Sequence, residues 1–258
     1  MHRCFYILCL LIGLMSCEKD IQVRCHQFGP SYKVCHTNIY ANGSFQGEKL
    51  YLYDEDERLK SIEYLDQKSD LKAVERFYYT GNRLLKSEKR RPDSTLIAAV
   101  YNEFYDGQLT KRLILKNGNY ESHSYQYNEN GLLERELISG DVIAPLFKRF
   151  DYNDNADLIR EWRFNPDSSL IEMDLIETVT PTMKRVLTYD DLGSLISWKT
   201  QSFEDGVMTS EVIYNEEGEV ASNTEYSFSQ GKLSTLITTT HTGQETEKLD
   251  FFYFPEQE

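Results

Sequence analysis

The chain is predicted to be all-β: one antiparallel β-meander repeat sheet of about 18 strands, curved or coiled rather than flat. Three observations point there. A unit recurs along the chain: aromatic-x-aromatic, Asp or Asn, a few polar residues, usually Gly, then an aliphatic residue, as in YLYDEDERL, YQYNENGLL, FDYNDNADL and VIYNEEGEV. Its aliphatic anchors at 59, 84, 109, 133 and 158 are separated by 25, 25, 24 and 25 residues. A second series of turn signals falls midway between the first, at Pro92-Asp93, Asn117-Gly118, Gly140-Asp141 and Pro166-Asp167, with PDSTLI and PDSSLI nearly identical. Turns about every 12 residues are hairpin spacing, two strands to a repeat.

Each part of the unit has a physical reason. Asp or Asn at the turn start can accept hydrogen bonds from the backbone ahead, and Gly supplies the positive φ that closes a hairpin. Tyr, Phe, Val, Ile and Thr fill the stretches between. Aromatics two apart share one face of a strand, so Tyr125 with Tyr127, Phe150 with Tyr152 and Phe77 with Tyr79 are expected to ladder across a packed, concave face. Gln126, Asp151 and Thr188 are expected on the watered side. The period breaks twice, with gaps of 37 and 13 residues. Near Pro181 and near Ser222 a bulge, an extra strand or a seam is expected, and a seam near 180 would divide the repeat domain of residues 32–254.

Residues 1–16 have a different character. A short basic start and the apolar run FYILCLLIGLM lead to Leu14-Met15-Ser16-Cys17. The run is too short for a helical span and suits a signal-peptide core. This segment resembles the bacterial lipobox, and Cys17-Glu18-Lys19-Asp20 is similar to the surface-export tag of Bacteroidetes lipoproteins. The resemblance implies cleavage after Ser16, lipidation of Cys17, and an outer-membrane lipoprotein facing the periplasm or the exterior. Residues 17–31 would then be a lipid-anchored lead-in. Two or three acyl chains make a stable anchor. Cleavage removes the one formal charge of Arg3, so −14 becomes −15. Such a balance offers no general attraction to nucleic acid or to an anionic membrane face. The lipid is the membrane contact expected.

Cys4 and Cys9 leave with the signal, and Cys25 and Cys35 remain in CHQFGPSYKVCH. In an oxidising compartment the pair is expected as a disulfide, which the loop-entropy argument values at about 3 kcal/mol. Two free thiols, or a metal site with His26 and His36, are the alternatives. Adjacent Cys-His ligands point to opposite faces of an extended segment, which disfavours the metal.

The repeat itself resembles degenerate YD (Rhs-type) repeats, carried by Tyr53-Asp54, Tyr105-Asp106, Tyr127-Asn128, Tyr152-Asn153, Tyr189-Asp190 and Tyr214-Asn215. The Arg common before the aliphatic in that family stands at Arg58 and Arg83. The resemblance implies a curved repeat sheet and no particular activity. No HExxH, GxSxG or P-loop occurs. His123 and His241 are expected as strand residues. The stretch from Asp151 to Trp162 lacks the Gly and the Glu of a calcium loop. Asp54 with Asp56 is expected as a solvated turn rather than a glycosidase pair. Neither catalytic residues nor a cofactor or metal is expected. The chain is expected to be a non-enzymatic binding or scaffold module for a protein or glycan. The alternatives are an accessory subunit of an envelope polysaccharide or secretion complex, and an enzyme whose site is assembled from distant strands.

Overall fold

A computed structural model of the chain describes residues 33–253. Eighteen strands follow one another. They are β1 (Val34–Ala41), β2 (Ser44–Tyr53), β3 (Leu59–Asp66), β4 (Leu71–Thr80), β5 (Arg83–Arg90), β6 (Leu96–Tyr105), β7 (Gln108–Lys116), β8 (Asn119–Tyr127) and β9 (Leu133–Gly140). Then come β10 (Leu146–Tyr152), β11 (Leu158–Phe164), β12 (Leu170–Thr180), β13 (Met183–Asp190), β14 (Leu195–Glu204), β15 (Val207–Asn215), β16 (Val220–Ser229), β17 (Lys232–Thr240) and β18 (Glu245–Tyr253). Each pairs antiparallel with the next, and the ring is shut by β1 against β18, where Thr37 meets Phe251 and Ile39 meets Leu249. The expected curved or coiled sheet is thereby corrected to a closed up-and-down barrel. Adjacent strands rotate in one sense, and over this many strands the accumulated coil returns the last edge to the first. Pairing the two edges also removes the unpaired backbone of an open sheet.

Antiparallel closure requires an even number of strands, and the period breaks respect this. The gap of 37 residues between the anchors at 158 and 195 holds three strands, β11 to β13, where other repeats hold two. The gap of 13 between 220 and 233 holds one, β16. The first break moves the tyrosine-bearing turns from one rim to the other, and the second returns them. There is no seam.

Two kinds of turn close the hairpins. In the first, an Asp or Asn accepts twice through one oxygen: Asn128 Oδ1 takes the backbone N–H of Asn130 at 3.0 Å and of Leu132 at 3.0 Å. Asp54, Asp66, Asn153 and Asp190 do the same. The fourth turn residue takes positive φ: Gly131 at 77°, but Glu57 at 60° and Ala156 at 64°. The second kind is the two-residue turn with both φ positive, as at Asn117-Gly118 and Asp205-Gly206.

The wall is one layer thick. Each strand's close backbone neighbours are the two beside it in the ring, apart from one marginal approach. Among the described residues the buried hydrophobic side chains are Cys35, Ala73, Ala99, Ile138 and Val186, too few and too small to fill the interior. A ring of this size is wider than side chains can bridge.

Candidate functional site

The pairing register assigns every strand side chain to one of two faces. Tyr53, Tyr79, Tyr127, Tyr152 and Tyr253 share one, here called the tyrosine face. Both faces hold buried residues: Thr37, Ala73 and Ile138 lie on the tyrosine face, and His36, Glu48 and Ala99 on the other. Gln126 is exposed and Tyr127 is not, which agrees with the expected register. Tyr127 and Tyr152 are half-buried rather than buried, because no second layer covers them.

The tyrosines do more than ladder. Tyr127 donates its hydroxyl to the Leu109 carbonyl at 2.9 Å, and Tyr152 to the Leu133 carbonyl at 2.9 Å. Tyr53, Tyr79 and Tyr253 reach the carbonyls of Val34, Leu59 and Leu233 in the same way. Each latches the end of its strand to the start of the preceding one at the same rim. Burial pushes the Tyr53 phenol up to about 12 and raises those of Tyr79, Tyr152 and Tyr253, so they stay protonated donors at neutral pH. At four of these places a basic residue before the strand-start aliphatic adds a second link. Arg58 stacks over Tyr79 at 5.3 Å and donates to the Gly81 carbonyl at 2.8 Å. Lys33 over Tyr53, Arg83 over Phe104 and Lys232 over Tyr253 repeat the stacking. These are the contacts behind the 25-residue period.

Beyond the first break the motif changes face. Met173 pairs with Tyr189, and Trp198 pairs with both Leu187 and Tyr214, all on the side away from Tyr127. Thr188 therefore lies on the tyrosine face and donates to Asp174 at 2.7 Å, which corrects its expected place on the watered side. Asp151 is also not free in water: it accepts from the Trp162 indole at 2.7 Å and pairs with Arg149.

Charged side chains sit at mid-strand on both faces. On the tyrosine face Lys148 pairs with Glu161 at 2.9 Å, and Arg163 pairs with Glu161, Glu172 and Asp174. Burial pushes the Glu161 carboxyl up, but hydrogen bonds from Lys148 and Arg163 outweigh it and hold the group below the usual range. Lys89 lies over the Tyr64 ring at 3.3 Å; burial lowers its pKa against the pull of Glu75. His123 places its two ring nitrogens 2.7 Å from Glu136 and 2.6 Å from Glu121. On the other face stand Arg76, Glu88, Arg149, Arg160, Arg185 and Lys248.

The remaining expected site residues are soon placed. Cys17 and Cys25 lie outside the described residues, with Cys4, Cys9 and His26. Cys35 is buried in β1 and disulfide-bonded. Its neighbour His36 is buried against Glu48 at 2.7 Å and stacks on Phe252. His241 is exposed in a turn. The suggested calcium stretch is the β10–β11 turn, where Asn153 Oδ1 accepts from Asn155 and Asp157. Among the described residues no three His, Cys, Asp or Glu side chains converge as metal ligands would. Asp54 and Asp56 are both ion-paired to Arg58. No described helix is long and apolar enough to cross a membrane.

No family model and no curated protein matches the chain. Solved structures do. A porin-like protein from Bacteroides uniformis aligns at TM-score 0.48 and 11% identity, covering 87% of this chain and 98% of its own. One from Bacteroides vulgatus aligns at TM-score 0.42 and 10% identity, covering 86% and 98%. The Photorhabdus luminescens Tc holotoxin pore aligns at TM-score 0.21 and 9% identity, covering 80% of this chain and 17% of its own.

Proposed function

We propose that the chain is a lipid-anchored, non-enzymatic cell-envelope barrel that stands in water beside the membrane and presents its wall and rims to a protein or glycan. One observation carries the reading: charged side chains occupy mid-strand positions on both faces of the wall. A barrel that spans a bilayer needs an apolar outward band, with polar residues confined to the lumen. Here one face carries Arg76, Arg149, Arg160 and Arg185, and the other Lys89, Lys148, Arg163 and Lys199. Whichever face met lipid, each basic group near the midplane would cost about 2–4 kcal/mol. The strands run from 7 to 11 residues and many meet the roughly 9 to 11 that a spanning strand needs, so length alone does not decide the matter and the face chemistry does. The acyl anchor on Cys17, read from the leader, then supplies the membrane attachment. A hollow wall with two solvated faces and turn-rich rims suits binding or scaffolding.

The test is Cys17→Ala in the full chain, followed by fractionation and a carbonate wash. The expected result is a soluble, folded, β-rich protein. Retention in washed membranes, released only by detergent, would show instead that the strands themselves span the bilayer.

A further inference from the structure

Three strands on this rim end in phenylalanine instead of the latching tyrosine, β6 at Phe104, β14 at Phe203 and β16 at Phe228, and at the first of them the turn chemistry changes as well. In β6 the latch position is Phe104, which has no hydroxyl to donate. The Leu84 carbonyl, which a tyrosine would reach, takes the Asn102 side-chain amide at 2.9 Å instead. Asn102 is held from its other end by Arg112 at 3.0 Å. The turn before it also departs. Where Arg58 is pinned by Asp54 and Asp56, the corresponding turn reads Thr80-Gly81-Asn82 and carries no acid. Among the described residues Arg83 makes no side-chain hydrogen bond and no ion pair; its guanidinium lies over the Phe104 ring at 5.8 Å. At this place, and bounded by these residues, an open pocket of about 660 Å³ indents the rim, lined by Thr80, Asn82, Arg83, Leu85, Glu103 and Phe104.

We infer that this rim pocket is a binding site for an acidic saccharide, with Arg83 receiving the ligand's carboxylate. The inference rests on the reading of the chain as a water-exposed envelope barrel and names the ligand class of one of its sites. The donors of a guanidinium already steadied on an aromatic ring match a carboxylate with two parallel bonds, at little ordering cost. Phe104 and Leu85 give an apolar floor for the C–H face of a sugar ring. Thr80 and Asn82 can donate to or accept from ring hydroxyls. A bare anion would use Arg83 alone; a ligand carrying both a carboxylate and hydroxyls uses the whole lining. The open shape fits a weak, exposed subsite for one residue of a longer chain.

The experiment titrates the detergent-solubilised full-length protein with D-galacturonate, D-galactose and acetate, followed by NMR chemical shifts and calorimetry. Galacturonate is expected to bind, and galactose and acetate each about tenfold more weakly, the loss of one charge-assisted pair or of the hydroxyl contacts. Arg83→Gln should weaken galacturonate about tenfold while leaving the circular dichroism spectrum unchanged, since the side chain holds no structural bond. Arg58→Gln, at the pinned rim position, should leave affinity unchanged. Phe104→Tyr, which puts a hydroxyl into the pocket, should also weaken binding. Acetate binding as tightly as galacturonate would overturn the saccharide class and point to a peptide carboxylate. No binding, or binding indifferent to Arg83→Gln, would overturn the site. The Cys17→Ala fractionation can succeed or fail independently of either result.

Discussion

The stretch β2–β10 and the stretch β12–β15 carry the same sequence unit but use it differently. In the first, tyrosines on the tyrosine face latch one rim through their hydroxyls, as Tyr127 does to Leu109. In the second, Tyr189 and Tyr214 lie on the opposite face at the other rim, and neither hydroxyl reaches a backbone carbonyl there. The Tyr214 ring stacks instead, lying on Trp198 at 5.1 Å and 12°. The turn survives the change. Asp190 caps its turn through Leu192 and Ser194 as Asn128 caps its own through Asn130 and Leu132. The turn is thus a local device, written in the residues that form it. The latch needs a particular rim and face as well, and strand count decides those.

The largest effects should come from removing the rings. Tyr127→Ala and Trp198→Ala should each cost about 2–3 kcal/mol by chemical denaturation, somewhat below fully buried aromatic truncations because both rings are half-buried. Equal losses would show that both regions depend on ring packing. Removing the hydroxyl alone separates them. Tyr127→Phe should cost about 1 kcal/mol, the worth of one hydrogen bond, and Tyr214→Phe less than about 0.5 kcal/mol. Equal values would erase the distinction between latch and stack. Ala156→Gly should stabilise by up to about 1 kcal/mol, because Ala156 holds φ at 64° where Gly carries no steric cost.

The acid limb sharpens the turn argument. Asp66 is held to about 2 by hydrogen bonds from Lys72 and from the backbone of Asp70 and Lys68. Its folded value lies below its unfolded value. Its contribution is therefore present at neutral pH and is lost as pH falls from about 4 towards 2. Asp66→Asn should flatten the pH dependence of stability in that window and leave the slope above pH 6 unchanged.

Much of the wall was legible because it is local. The hairpin period, the strand number, the Asp and Asn caps and the alternation of Gln126 and Tyr127 are all set by residues a few positions apart. Closure was not legible, since the meeting of Thr37 with Phe251 spans the whole chain and no residue in either strand announces it. The face swap escaped for a related reason. The gap of 37 residues was visible, but its consequence for Thr188 depends on the running parity of the pairing through β12 and β13. The rim pocket was hidden behind conservative changes, Phe104 for Tyr and Thr80 for Asp, which read as drift within a repeat until the substituted latch from Asn102 and the unpaired Arg83 are seen together. The roles proposed for Cys17 and Cys25 lie outside the described residues, and Cys25 as the disulfide partner of Cys35 is open to non-reducing peptide mapping.

Closure of the ring is tested most directly by amide hydrogen exchange in β1 and β18. In a closed barrel each of these strands is paired on both sides, so the amides of Thr37, Asn38, Ile39, Leu249, Asp250 and Phe251 should all exchange slowly, like those expected of interior strands such as β4 and β5. In an open sheet they would be edge strands, and alternate amides would face water. Uniform protection through residues 37–39 and 249–251 is the expected result; alternation of fast and slow amides along either strand would contradict closure.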